Sequence, residues 1–175
     1  MLTSILRYIM LLALVVWLGG IIFFGTVMAP VLFKNLPSNV AGNVVGPSLK
    51  TLHWIGMVTG TLLLLAFVAL SAGLRKTAFT ILVPVLILLM LLLTVVSQFY
   101  VVPQMETLRT QIAGYTYVTP LPDWEKRAAE ARQEFDSLHR WSTRIEGAVL
   151  MLGLIVLGYF ARGMKIEIPH HDNRL

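Results

Sequence analysis

The sequence predicts an all-α integral membrane protein, a four-helix bundle with an extramembrane helical hairpin between spans three and four. Three observations predict it. Of 175 residues, 57% are hydrophobic and 13% charged, with a mean hydropathy of +0.76. Ordinary globular chains carry about 25% charged residues, so a soluble domain of this length could not hide its apolar surface, and the bilayer is the expected solvent. Apolar runs recur four times along the chain, and the strongly polar stretch 105–137 lies between the third and fourth.

The first run is free of charge from Tyr8 to Phe33, between Arg7 and Lys34. About 20 apolar residues cross the hydrocarbon as a helix, and Pro30 disfavours helical geometry at Ala29, so the first span is expected near 8–29. The run is too long for a signal-peptide h-region and no A-x-A-like site follows it, so it is expected to be retained. Gly19, Gly20 and Gly25 give it a small-residue surface, which in lipid is a helix-packing seam. Trp17 falls mid-span and reads as a bundle-core side chain.

From Val31 to Ser48 the sequence reads as a connection, with Pro37, Gly42, Gly46 and Pro47. Ser38 is placed to cap a short surface helix and Ser48 to cap the second span, expected at 51–73. Gly56 and Gly60 form GxxxG inside that span, either for packing within the chain or for a dimer seam. Ala72-Gly73 suits a helix stop before the basic turn Arg75-Lys76.

The third span is expected at 78–102, with Thr77 as its cap and Pro84 bending it about two turns in. A polar helical hairpin is expected over about 104–138, turning between Tyr115 and Pro122. Trp124, Ala128, Ala131, Phe135 and Leu138 fall at helical spacing with charge opposite, so the mixed charges read as a solvated face. The last charge-free run, Gly147 to Ala161, is too short for the hydrocarbon. The fourth span must therefore start near Ser142, at 142–162, and carry Arg144 and Glu146 to the interface or into the bundle. The polar tail after Arg162 reads as disordered, and His170-His171 as incidental or as a weak surface metal site.

Four spans put both termini and the Arg75-Lys76 turn on one side. That side carries Arg7, Arg75, Lys76, Arg162, Lys165 and Arg174. The positive-inside rule then makes both termini cytoplasmic. A net charge of +5 would raise nucleic acid as a partner for a soluble chain. Here the cations flank apolar runs, so topology and lipid headgroups explain them and no nucleic-acid partner is expected. The absence of Cys excludes disulfides, thiolate metal sites and Cys nucleophiles.

Trp17-Leu18-Gly19-Gly20, the Phe23-Phe24 pair, Ala29-Pro30-Val31-Leu32-Phe33, Leu36-Pro37 and Ala41-Gly42 resemble the transmembrane-protein-205-like family, domain of unknown function 4149. His139 with Arg140, Ser142 and Glu146-Gly147 resembles the start of that family's last helix. The resemblance covers most of the chain. It implies a four-span membrane protein, here expected in a bacterial cytoplasmic (inner) membrane, and brings no established catalytic residues. A looser likeness is to copper-resistance-D-like membrane proteins, some of whose relatives bind haem through intramembrane His; it implies a role for His53 and His139.

Spans two and four both start on the outer side, so His53 and His139 should lie at similar depth, level with Gln98 and Tyr100. His139, Thr143 and Glu146 are spaced i, i+4, i+7 and share a helix face. Ionisable groups at membrane depth are costly and often functional. His53, Gln98, Tyr100, His139, Thr143 and Glu146 therefore form a candidate outward-opening polar pocket; the alternatives are interfacial residues reaching water or a hydrogen-bonded clamp on the helix ends. Because Arg144 and Glu146 are two residues apart they point in different directions, and Glu146 is expected to face the bundle.

No phosphate-cradling Gly loop, HExxH or GxSxG is present, which disfavours an enzyme. The leading reading is a non-enzymatic bundle that binds a lipid, a small ligand or a partner protein, without a cofactor. A haem- or copper-binding redox protein using His53 and His139 is the second reading. A small transporter is the third, as a homo-oligomer, since one four-helix bundle leaves little room for a pathway.

Overall fold

A computed structural model describes residues 1–72, 77–117 and 123–163, and within them the regular structure is helical. Four long helices form it. Helix α1 is Leu2–Asn35, α2 is Ser38–Ser71, α3 covers 78–117, and α4 is Trp124–Gly163. All four are long and apolar enough to cross a membrane. At 1.5 Å per residue a helix of 34 residues is about 50 Å long, well beyond the ~30 Å of hydrocarbon, so each helix continues past the bilayer. The protein is a multi-pass, integral membrane four-helix bundle.

The helices pack in a ring: α1 on α2, α2 on α3, α3 on α4, and α4 back on α1. Opposite corners, α2 and α4 among them, do not pack extensively. The end of the bundle opposite the termini carries the 36–37 link and the α3–α4 hairpin. In that hairpin 102–117 packs on α4, and Met105, Leu108, Ala128 and Ala131 are buried.

In lipid, apolar helices gain nothing by leaving the solvent, so close packing must hold them together. The stripe Met10, Ala13, Leu14, Trp17, Leu18 and Ile21 faces the bundle at the spacing of one helix face. Trp17 is 1% exposed. Its indole occupies the space that side chains at Gly56 and Gly60 would need. A Cβ on Gly56 would lie 2.5 Å from Trp17 Nε1, and one on Gly60 would overlap the far side of the same ring. A Cβ on Gly20 would lie 2.7 Å from Leu52 Cδ1. Gly19 differs from the expected seam. It is exposed and no neighbour lies within 4 Å of its missing Cβ, because the next residue turns about 100° around the helix and only Gly20 meets α2. Gly153, not singled out from the sequence, has Leu18 against it in the same way.

The segment 31–48 is helical, not the expected connection. α1 runs on to Asn35 and α2 starts at Ser38 with Pro47 inside it. Consequently Ser38 and Ser48 cap nothing: α2 is preceded by Pro37 without a side-chain cap, and the Ser48 hydroxyl donates to Val44 O. Helix survives Pro30 through a widened turn. Phe24–Met28 is π-helical and the Ala29 N–H donates to Phe24 O, five residues back. The device recurs in α3, where Ser97–Val101 is π-helical, the Val102 N–H donates to Ser97 O, and Pro103 follows. Both π turns end two residues before a proline, whose ring would otherwise clash with the carbonyl four residues back. Thr77 does cap α3, in a reciprocal box with Thr80 (Thr80 N–H to Thr77 Oγ1, 3.3 Å; Thr77 N–H to Thr80 Oγ1, 2.8 Å). The basic turn Arg75-Lys76, the hairpin turn at 118–122, and His170-His171 lie outside the described residues.

Candidate functional site

At the end of the bundle opposite the termini, residues 24–33 of α1, 38–49 of α2, 102–109 of α3 and the amino-terminal half of α4 enclose a cavity of about 590 Å³. All four helices line it. Its walls are mostly apolar, from Phe24, Phe33, Leu49, Val102 and Met105, with Phe135 near Arg109. Beyond Phe23, α1 packs on α2 and parts from α4, which makes room for it.

At the floor is Glu146. Its side chain is 17% exposed and its Oε1 lies 2.6 Å from His53 Nε2. His53, 1% exposed, places Nδ1 3.0 Å from Gln98 Oε1. One chain of hydrogen bonds therefore links the cavity to the bundle interior across α4, α2 and α3. Thr94 and Ser97 are buried below it; the Thr94 hydroxyl donates to Met90 O, while Ser97 Oγ has no partner among the described residues.

Gln98 Oε1 can only accept, so His53 Nδ1 carries a hydrogen toward it, and His53 Nε2 faces the Glu146 carboxyl group. Both His53 nitrogens are thereby engaged. No group of three or more His, Asp or Glu that could hold a metal forms among the described residues.

The other expected site residues divide. His139 and Thr143 line the cavity with Glu146, along the shared face of α4. His139 stacks on Phe135, centroids 6.4 Å apart and planes within 2°, and the Thr143 hydroxyl donates to His139 O. Arg144 points away and lies over the Trp141 ring at 5.6 Å. Tyr100 is not in the pocket. It is 61% exposed, because it stands two residues from inward-facing Gln98 and points the other way. With Trp54, Phe99 and Trp141, also more than half exposed, it forms an aromatic girdle of the kind found at membrane interfaces. Trp54 follows His53 and Phe99 follows Gln98 in sequence, so the girdle lies at the level of the Glu146–His53–Gln98 chain.

Sequence reasoning missed the outer rim. Arg109 donates from Nη1 to Gly42 O at 2.8 Å, and its guanidinium carbon stands 5.8 Å from the Phe135 ring centroid. A Cβ on Gly46 would come within 2.9 Å of Arg109 Nη1, and one on Gly42 within 3.4 Å of its guanidinium carbon, so the two glycines of α2 cradle the group. Below, Lys50 Nζ and Glu106 Oε2 pair at 2.6 Å. The signal available in the sequence was the i, i+4 spacing of Gly42 and Gly46, which marks one helix face open to a close approach.

Compared with known families, residues 12–114 match the one described as "Domain of unknown function (DUF4149)". That covers more than half of the chain, taking in most of α1, all of α2 and most of α3. No curated protein matches, and no solved structure does.

Proposed function

The chain belongs to the DUF4149 family, and from that premise we propose that it is a non-enzymatic binding protein of a bacterial cytoplasmic membrane that holds a small, largely apolar molecule in its outer cavity. One observation carries this reading: a mostly apolar space of about 590 Å³ lined by all four helices, with the fixed carboxyl group of Glu146 among a few polar side chains. Small-molecule pockets have this size and this makeup, apolar walls with a few placed polar groups. The Glu146–His53–Gln98 chain supports a binding role by fixing the carboxyl group, since a side chain already held by a hydrogen bond loses little freedom when a ligand arrives. Both termini facing the cytoplasm would open the cavity on the far side.

The test is native mass spectrometry of protein purified from its own membrane in mild detergent. The wild type should retain a small molecule. Ala29→Trp, which fills the cavity from α1, should release it while leaving the unfolding temperature unchanged. Retention of nothing by the wild type, or equal retention by Ala29→Trp, would overturn the reading.

A further inference from the structure

We propose that the cavity's ligand is a single-chain lipid with an anionic head, its carboxylate or phosphate bound by Arg109 and its chain running down the apolar walls toward Glu146. The inference rests on the binding role proposed above and names the ligand class of that same cavity.

The charge balance of the lining points to it. Each acid that lines the cavity has a basic partner: Glu106 is held by Lys50 and Glu146 by His53. Arg109 also lines the cavity, and among the described residues no carboxylate lies within ion-pair distance of it. Arg109 is thus the cation of the lining that no carboxylate contacts. A group with five N–H donors that uses one on Gly42 O keeps a fork suited to a planar carboxylate or a phosphate.

The position of that charge is built. Gly42 and Gly46 remove the two side chains that would displace the guanidinium, the Gly42 carbonyl orients it, and Phe135 lies alongside. Phe135 also carries the His139 ring in parallel contact, so a second basic side chain stands at the same rim.

Geometry selects the rest of the ligand. Arg109 is 11 residues beyond Gln98 on one helix, about 16 Å farther from the bundle interior. Between them the walls are Met105, Val102, Leu49, Phe33 and Phe24. A molecule filling this space is charged at one end and apolar along its length. A volume within the range of drug-sized ligands suits one acyl chain rather than the two of a phospholipid.

The experiment uses the full chain in phosphatidylcholine nanodiscs, incubated separately with palmitate, palmitoyl lysophosphatidate and the uncharged monopalmitoylglycerol, with occupancy read by native mass spectrometry. Wild type should favour at least one anionic probe over monopalmitoylglycerol by about tenfold, the scale of one charge-assisted hydrogen-bonded contact. Arg109→Gln should reduce the anions to the level of the neutral probe without changing binding of the neutral probe itself, and inorganic phosphate should not compete. Equal wild-type binding of charged and neutral probes, a comparison that needs no variant to fold, would overturn the anionic ligand and leave Arg109 as a clamp between α3 and α2. Full competition by inorganic phosphate would likewise overturn the lipid. Binding of any probe that persists in Ala29→Trp, or binding of none, would bring down the cavity reading as well.

Discussion

His53 on α2 and Glu146 on α4 stand at opposite corners of the bundle, yet Nε2 and Oε1 are 2.6 Å apart. Gln98 on α3 completes the bridge at 3.0 Å. Three helices are thus fixed to one another at a single level by side chains whose alternative partners, lipid tails, offer no hydrogen bond. A polar contact of this kind sets the relative rotation of helices that apolar packing alone leaves loosely specified.

Cutting one end of the bridge should cost more than removing it whole. Glu146→Leu leaves His53 Nε2 buried without a partner, a penalty of about 1–3 kcal/mol. Glu146→Gln keeps a hydrogen-bonding group at the position and should unfold closer to wild type. The double variant His53→Leu/Glu146→Leu should lose clearly less than the sum of the two single changes. Denaturant titration in detergent micelles provides the comparison; strictly additive losses would mean that the two residues do not act as a pair.

The glycines should divide by what faces them. Gly60→Ala places a methyl group into the Trp17 ring, and overpacking of this kind costs about 1–3 kcal/mol. Gly19→Ala adds the same atom where nothing lies within 4 Å and should leave stability unchanged or slightly raised, as alanine is the better helix former. Thermal unfolding of the two purified variants distinguishes them, and equal behaviour would remove Trp17 as the wedge between α1 and α2.

These contrasts also show what the sequence can and cannot convey. Charge-free runs and their basic flanks are composition, and composition alone fixes which segments can cross the hydrocarbon. Glu146 was legible as inward-facing because Arg144 two residues away had to point elsewhere, and the same spacing rule, applied to Gln98, turns Tyr100 outward. The segment 31–48 was misread because a proline followed by glycines looks like a loop. The compensation is a π turn, which depends on backbone carbonyls that carry no sequence signature. Arg109 was hidden differently. Its partners, Gly42 and Phe135, are 67 residues back and 26 ahead in sequence, and only the docking of the hairpin on α2 brings the three together.

Lys50 and Glu106 should matter less than the bridge below them, although their contact is equally short. Their side chains are 37% and 40% exposed, so water screens the pair, and exposed ion pairs contribute about 0–1 kcal/mol. Lys50→Gln is expected to shift the unfolding midpoint little, and 0.5 M salt should remove most of that shift by screening. A loss as large as that of Glu146→Leu would show that the pair is shielded from solvent by the bilayer or a bound molecule.

Orientation in the membrane decides which compartment the cavity opens to, and the charge pattern makes a definite prediction. The short segments at the end bearing the termini carry Arg7, Arg75, Lys76, Arg162, Lys165 and Arg174. The opposite end carries Lys34 and Lys50 on the helices that flank the 36–37 link, and its other bases lie in a longer polar hairpin rich in acids. Orientation follows Lys and Arg in short segments close to the spans, with acids counting little, so both termini should be cytoplasmic and the cavity external. A reporter that works only in the cytoplasm should be active when fused after Leu175, and one that works only outside should be active when inserted in the hairpin turn at 118–122. Reversing the charge of the short segments alone, with Arg75→Glu and Lys76→Glu, should raise the fraction inserted the other way round. An external C-terminal reporter in the unaltered chain would refute the orientation and turn the cavity, with Arg109 at its rim, toward the cytoplasmic pool of anionic lipids.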